Sequence, residues 1–213
     1  MELSLLVIFW YGILHAFGPD HLTAIADFSI GKDKHKTMLI TTLFAIGHGL
    51  SLFLFAKILQ SVEIDDEILG YGDAISATVI IMMGLYILYM VLSDRIHLKR
   101  HIHKGKEHIH IWFGGSHDHK GRVAKSSSFT MGLLMGAGGV RGMLVTLGAV
   151  GSGNVDFSMI GAFTAGVMLI FVGFGVVILY FNQHFLGSVT NVRRAFTTAG
   201  VISLVVGTNI LLG

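Results

Sequence analysis

The chain has 213 residues, of which 53% are hydrophobic and only 13% charged, and its mean hydropathy is +0.71. A water-soluble domain of this length needs far more polar surface than that. The formal net charge is +2 and no nucleic-acid partner is expected, while the absence of cysteine removes disulfides and thiolate metal ligands together.

Long apolar windows decide the class, because about 20 such residues cross the hydrocarbon core of a bilayer as a helix. Six windows stand out, at 3–25, 38–59, 74–92, 129–151, 157–181 and 196–213. They are continuously apolar, unlike the short alternating segments of a barrel. The expected fold is an all-α integral membrane protein with six transmembrane helices in a single domain over 1–213. The 28 glycines suit such a bundle, where small residues let backbones approach closely.

The first window begins with Glu2 as its only early charge and carries His, Pro and Asp where a signal peptide has a small-residue cleavage site. It is expected to be retained. It contains His15-Ala-Phe-Gly-Pro-Asp-His21 and, further on, Asp27. Pro19 has no N–H to offer the carbonyl of His15, and Gly18 relaxes the backbone before it, so the helix is expected to break there. On a regular helix His15 and His21 lie about 240° apart and share no ligand; a break brings them together and frees the His15 carbonyl as well. The second window carries His48, at a depth expected to match that of His15.

The connections separate charge by sign. The first holds Lys32, Lys34 and Lys36, the third (about 93–127) has eight basic residues, and the fifth has Arg193 and Arg194. The second holds Glu63, Asp65, Asp66, Glu67 and Asp73 without Lys or Arg, and the fourth only Asp156. Lysine and arginine stay on the cytoplasmic side, so both termini are expected outside and the long central loop inside. That loop carries seven of the twelve histidines: His97, His101, His103, His108, His110, His117 and His119. Alternating His-x-His pairs among glycine and lysine point to a flexible metal-buffering tract, with contact to anionic lipid as the plainer alternative.

The halves, about 1–92 and 128–213, show a weak internal match. Ala45-Ile-Gly-His-Gly-Leu resembles Phe171-Val-Gly-Phe-Gly-Val, and Gly18 falls opposite Gly138-Gly139. Three helices per half would insert with opposite orientation, as in many secondary transporters built from inverted repeats. Arg141 sits in the second-half counterpart of the His15–His21 stretch. A guanidinium donates only, so Arg141 is no ligand. It is a candidate counter-charge for Asp20, or a structural partner of Asp27 or of a carbonyl.

Ionisable groups in hydrocarbon are costly unless paired, ligand-bound or facing water. Histidine nitrogen with carboxylate oxygen suits a borderline divalent ion such as Ni²⁺, Co²⁺ or Zn²⁺, whereas Mg²⁺ prefers all-oxygen sites. His15, Asp20, His21 and His48 are the expected ligands, with Asp27 a further candidate.

His15-x4-Asp20-His21 resembles the H-x4-D-H signature of the nickel/cobalt transporters, and Phe44-Ala-Ile-Gly-His48-Gly-Leu-Ser-Leu resembles that family's second motif. The short layout and His-rich loop are most similar to the branch containing the membrane-bound urease accessory (UreH-type) proteins and the nickel/cobalt efflux permeases. The specific similarity covers roughly residues 10–55. It implies carriage of Ni²⁺ or Co²⁺ across the cytoplasmic membrane, with His15, Asp20, His21 and His48 needed for selection and passage. The efflux branch often has Pro-Cys-Pro in the first helix of the second half, where this chain has Gly138-Gly-Val-Arg141-Gly.

The leading expectation is a secondary carrier or facilitator, not an enzyme, with the metal as cargo, no prosthetic group, and cytoplasmic nickel chaperones or metalloenzyme maturation proteins as partners. No nucleotide-binding P-loop occurs. An intramembrane zinc hydrolase is the alternative from another class. It needs a general base beside the metal water, and all four glutamates lie at the terminus or in loops, leaving Asp27. A metal-sensing or metallochaperone accessory protein using only the loop is the third.

Overall fold

The computed structural model describes residues 2–61, 66–103, 106–113, 122–140 and 156–212. Its elements are α1 (Glu2–Ala16), α2 (Pro19–Ser29), α3 (Lys34–Ser61), α4 (Asp66–Leu92), β1 (Ile96–His103), β2 (Lys106–Phe113), α5 (Arg122–Gly138), α6 (Phe157–Phe185) and α7 (Val189–Leu212). Four helices are individually long and apolar enough to cross a bilayer: Lys34–Phe55, Tyr71–Leu92, Phe157–Phe185 and Val189–Leu212. Leu3–Ala16 and Pro19–Ser29 pass the same test only together and meet at 60°, the form of a broken span or a re-entrant loop. The expected span at 129–151 is described only as far as residue 140.

Large apolar side chains also cover the outside. Leu3, Trp10, Met82, Leu85, Val205 and Leu212 are all exposed. So much apolar surface is stable only where lipid, not water, covers it.

The bend follows from the sequence. Pro19 opens α2 with Gly18 as the residue before it, where a missing N–H breaks no bond. The end of α1 tightens into a turn, with the Phe17 N–H donating to the Leu14 carbonyl at 3.2 Å and the Gly18 N–H to the His15 carbonyl at 2.9 Å. The His15 carbonyl therefore keeps one donor, because the tight turn supplies what Pro19 lacks.

Helix pairing rests on close backbone approach. Four Phe-x-x-Gly segments, Phe9–Gly12, Phe44–Gly47, Phe129–Gly132 and Phe163–Gly166, meet in two reciprocal pairs. A Cβ on Gly12 or Gly166 would collide with the Phe163 or Phe9 carbonyl oxygen, and one on Gly47 or Gly132 with that of Phe129 or Phe44. These crossings join α1 to α6 and α3 to α5; α4 packs along α7, and α3 touches α6. Without a water-driven hydrophobic effect between helices, such proximity supplies the dispersion and dipole contacts that hold a bundle. Gly47 and Gly166 thus play like parts in the two crossings, while Gly173, its counterpart in the sequence match, has open surroundings. Repeated glycines allow both registers on paper, and only packing separates them.

The expected flexible tract is in part a hairpin. β1 and β2 pair antiparallel from Ile96↔Phe113 to His103↔Lys106, with His101 opposite His108. Isoleucine alternating with histidine and lysine fits a pleated ribbon, a periodicity that a reading by composition overlooks. His117 and His119 lie outside the described residues.

Candidate metal centre

Three imidazoles from three helices meet inside the bundle. His15 is in the last turn of α1, His21 in the first turn of α2, and His48 midway along α3. His21 is 2% exposed and His48 fully buried. His15 Nε2 lies 3.0 Å from His21 Nε2 and 3.2 Å from His48 Nε2, and the three donor atoms all fall within 4.8 Å of one another. The bend in the first span is what permits this, bringing side chains from opposite sides of a straight helix to one point.

The donors suit a metal ion. Neutral imidazole offers one lone pair, and three bound to one first-row ion at about 2.1 Å in tetrahedral geometry have their nitrogens about 3.4 Å apart. His15 Nε2 stands a little nearer than that to both of the other Nε2 atoms, and all three donors lie within 4.8 Å, so the rings would have to rearrange around an ion. His48 Nδ1 is buried without a hydrogen-bond partner among the described residues.

Asp20 approaches from behind. Its Oδ2 is 3.0 Å from His21 Nδ1, the ring nitrogen turned away from the cluster. This is an electrostatic contact rather than an aligned hydrogen bond. A carboxylate on the far nitrogen of a ligating histidine fixes ring orientation and raises ligand basicity. Asp20 thus stands behind His21 and is not one of the three converging donors.

Apolar rings and a glycine shape the surroundings. Phe171 stacks edge-on against both His21 and His48, Phe163 lies 5.4 Å from His15 between ring centroids, and Phe44 is parallel to His48. Gly139 abuts the cluster, and a Cβ there would fall 2.8 Å from His15 Nε2. Phe44, Phe171 and Gly139 fall within segments that the sequence comparison quotes but gives no role at the site, and Phe163 falls in none. Phe44 and Phe163 carried a usable signal, since each opens a Phe-x-x-Gly segment.

Asp27 is elsewhere. It is 8% exposed, and its Oδ2 accepts a 2.7 Å hydrogen bond from Ser203 Oγ on α7. The carboxylate on which a hydrolase reading relies is therefore bonded to α7 rather than grouped with the imidazoles. Arg141 lies outside the described residues. His97 is exposed at the start of β1, and His101, His103, His108 and His110 occupy the strands, remote in sequence from the buried cluster.

Fold and site together define a multi-pass helical membrane protein with an imidazole cluster at a broken helix. Comparison with family models, with curated proteins and with solved structures gave no match.

Proposed function

We propose that the protein carries a divalent transition-metal ion of the Ni²⁺ or Co²⁺ kind across the cell membrane, with His15, His21 and His48 as the transport site and Asp20 orienting His21. The observation that carries this reading is the convergence of three Nε2 atoms, 3.0 and 3.2 Å apart along the chain of contacts, in the interior of an apolar bundle. A structural role would be met by one hydrogen-bonded histidine. Here His15 Nε2 lies within hydrogen-bond distance of both His21 Nε2 and His48 Nε2, and a cation that displaces the shared protons would be held by all three rings.

The proposed architecture is six spans in two inverted halves, with both termini outside and the His-rich hairpin in the cytoplasm. The reciprocal Phe-x-x-Gly crossings support the repeat. Exchanging the halves turns the α1–α6 pair into the α5–α3 pair, with Phe9 and Gly12 matching Phe129 and Gly132. Under that exchange His15 corresponds to Met135 and His48 to Val167, so the symmetric frame holds an asymmetric site. Metal would enter from one face, exchange water for imidazole near the midplane, and leave as the halves rock. The hairpin histidines would receive or present the ion on the cytoplasmic side, where a nickel chaperone or maturation protein would meet it.

The deciding measurement is radioactive Ni²⁺ flux in reconstituted vesicles with a driving force supplied. The natural chain should exceed empty vesicles, and His15→Ala and His48→Ala should each return flux to background. Equal flux for the natural chain and both variants, or none above empty vesicles in either direction, ends the proposal.

A further inference from the structure

A second polar feature of the bundle takes no part in the imidazole cluster. A cavity of about 580 Å³ lies between α2, α6 and α7, walled by Leu22, Phe174, Ile178 and Ile202 among others. Asp27 lines it from α2, and Asn191, Arg194 and Thr198 line its more exposed part. Asp27 Oδ1 is buried and has no hydrogen-bond partner among the described residues.

The hydrogen bonds around Asp27 allow two arrangements that differ by one proton. Ser203 Oγ lies 2.7 Å from Asp27 Oδ2 and 2.9 Å from the Ala199 carbonyl oxygen. A hydroxyl has one hydrogen and cannot serve both. With a neutral carboxyl, Asp27 donates to Ser203 Oγ, and Ser203 donates to the Ala199 carbonyl. With an ionised carboxylate, Ser203 must turn to Asp27, and Oδ1 stays a charged, unpaired oxygen against apolar walls. Burying such a group without partners is costly.

We propose that Asp27 is a proton-binding site, loaded and unloaded through this cavity, that couples proton movement to cargo movement. The coupling rests on the carrier reading above; the proton site itself does not. Loading transfers one proton from a hydronium ion reaching the cavity to Asp27 Oδ2, which breaks one O–H bond, makes another and leaves water, and it swings the Ser203 hydroxyl to the Ala199 carbonyl; unloading to water reverses both.

The neighbouring charges leave this chemistry to Asp27. On α2, Asp20 and His21 engage each other. On α7, Arg194 lines the cavity while Arg193 pairs with Asp94. On α6, His184 bonds the Tyr180 carbonyl. His48 of α3 faces His15, and Lys34, His35 and Lys36 begin that helix. Between residues 74 and 91 of α4 the only titratable groups are the exposed Tyr86 and Tyr89, and α5 has none between 126 and 140.

Dicyclohexylcarbodiimide reacts with neutral carboxyl groups in apolar surroundings, so it reads the site directly in the purified full chain. Mass spectrometry should find an adduct at Asp27, absent in Asp27→Asn, whose formation slows about tenfold for each pH unit once the group ionises. Ser203→Ala keeps the carboxyl but removes the donor that favours its ionised form, so labelling should persist to higher pH. No adduct at Asp27 at any pH, or a rate independent of pH, overturns the proton site.

In vesicles, a trapped pH dye should report proton movement when Ni²⁺ is added to the natural chain and none with Asp27→Asn. A natural response in Asp27→Asn overturns the coupling. Absence of Ni²⁺ flux in the natural chain ends the carrier reading and the coupling together, and the labelling still decides the proton site.

Discussion

Gly139 shows how a residue without a side chain can set the chemistry of its neighbour. Its α-hydrogen face leaves room for the His15 ring, and a methyl group would fall 2.8 Å from Nε2. The ring is the far end of a side chain, so it would turn aside while the backbone stays. Gly139→Ala is therefore expected to leave the melting temperature within a few degrees and to weaken Ni²⁺ binding about tenfold, a loss of about 1.4 kcal/mol. Calorimetry in detergent checks both. Proton competition operates at the same scale. Only neutral imidazole binds metal, so each histidine that takes a proton withdraws a ligand. Affinity should fall as pH is lowered, and with His48→Ala the remaining binding should be weak at every pH.

At the scale of elements, the turn between α2 and α3 decides where His21 and Asp27 are held. Gly31 adopts φ 76°, a conformation open to glycine at no steric cost. Asn182 of α6 clamps this turn. It accepts from the Gly31 N–H at 3.0 Å and donates to the Ser29 and Lys32 carbonyls at 2.8 and 3.1 Å. Asn182→Ala should destabilise by about 2 kcal/mol, the net worth of such bonds with a donor left bare, seen as a lowered melting temperature.

Asp33 begins α3, accepting from the Lys36 N–H at 2.9 Å, with the Lys36 ammonium 3.3 Å away. Burial works to raise its pKa, but the Lys36 N–H and ammonium outweigh it and hold the carboxyl below the usual carboxylate range. Its folded pKa is thus below its unfolded one, so its contribution is present above the carboxylate range and is lost as pH falls through the folded value. Asp33→Ala should cost about 1 kcal/mol at neutral pH as a lost cap. Asp33→Asn should cost little, since solvent screens the exposed charge, and the difference between Asn and the natural residue should vanish in acid. Melting curves across pH check this.

At the scale of the whole molecule, the bundle depends on four glycines at two crossings. Gly12, Gly47, Gly132 and Gly166 each face a partner's backbone oxygen inside contact distance of any added Cβ. A backbone cannot move aside as a side chain does, so Gly47→Val or Gly132→Val should cost about 3 kcal/mol or more and reduce folded yield on size-exclusion chromatography. Gly161 and Gly173 have open surroundings. Gly173→Ala should be neutral or stabilise by up to about 1 kcal/mol, because alanine loses less freedom in a helix.

Hydropathy, a missing N–H and ionisable groups in hydrocarbon are local properties, so the membrane class, the break at Gly18-Pro19 and the candidacy of His15, His21 and His48 were legible in the chain alone. The sequence pointed to the strands only through alternation at 96–113, which the density of histidine obscured. Tertiary structure decided the rest. Whether Asp20 lies among the donors or behind His21, and whether Asp27 joins the cluster or Ser203, depends on side chains up to 176 positions apart. The pairing of Gly47 with Phe129 and of Gly166 with Phe9 depends in the same way on which backbones meet. Such contacts are fixed by how helices cross, and crossing is a property of two surfaces that neither segment specifies alone.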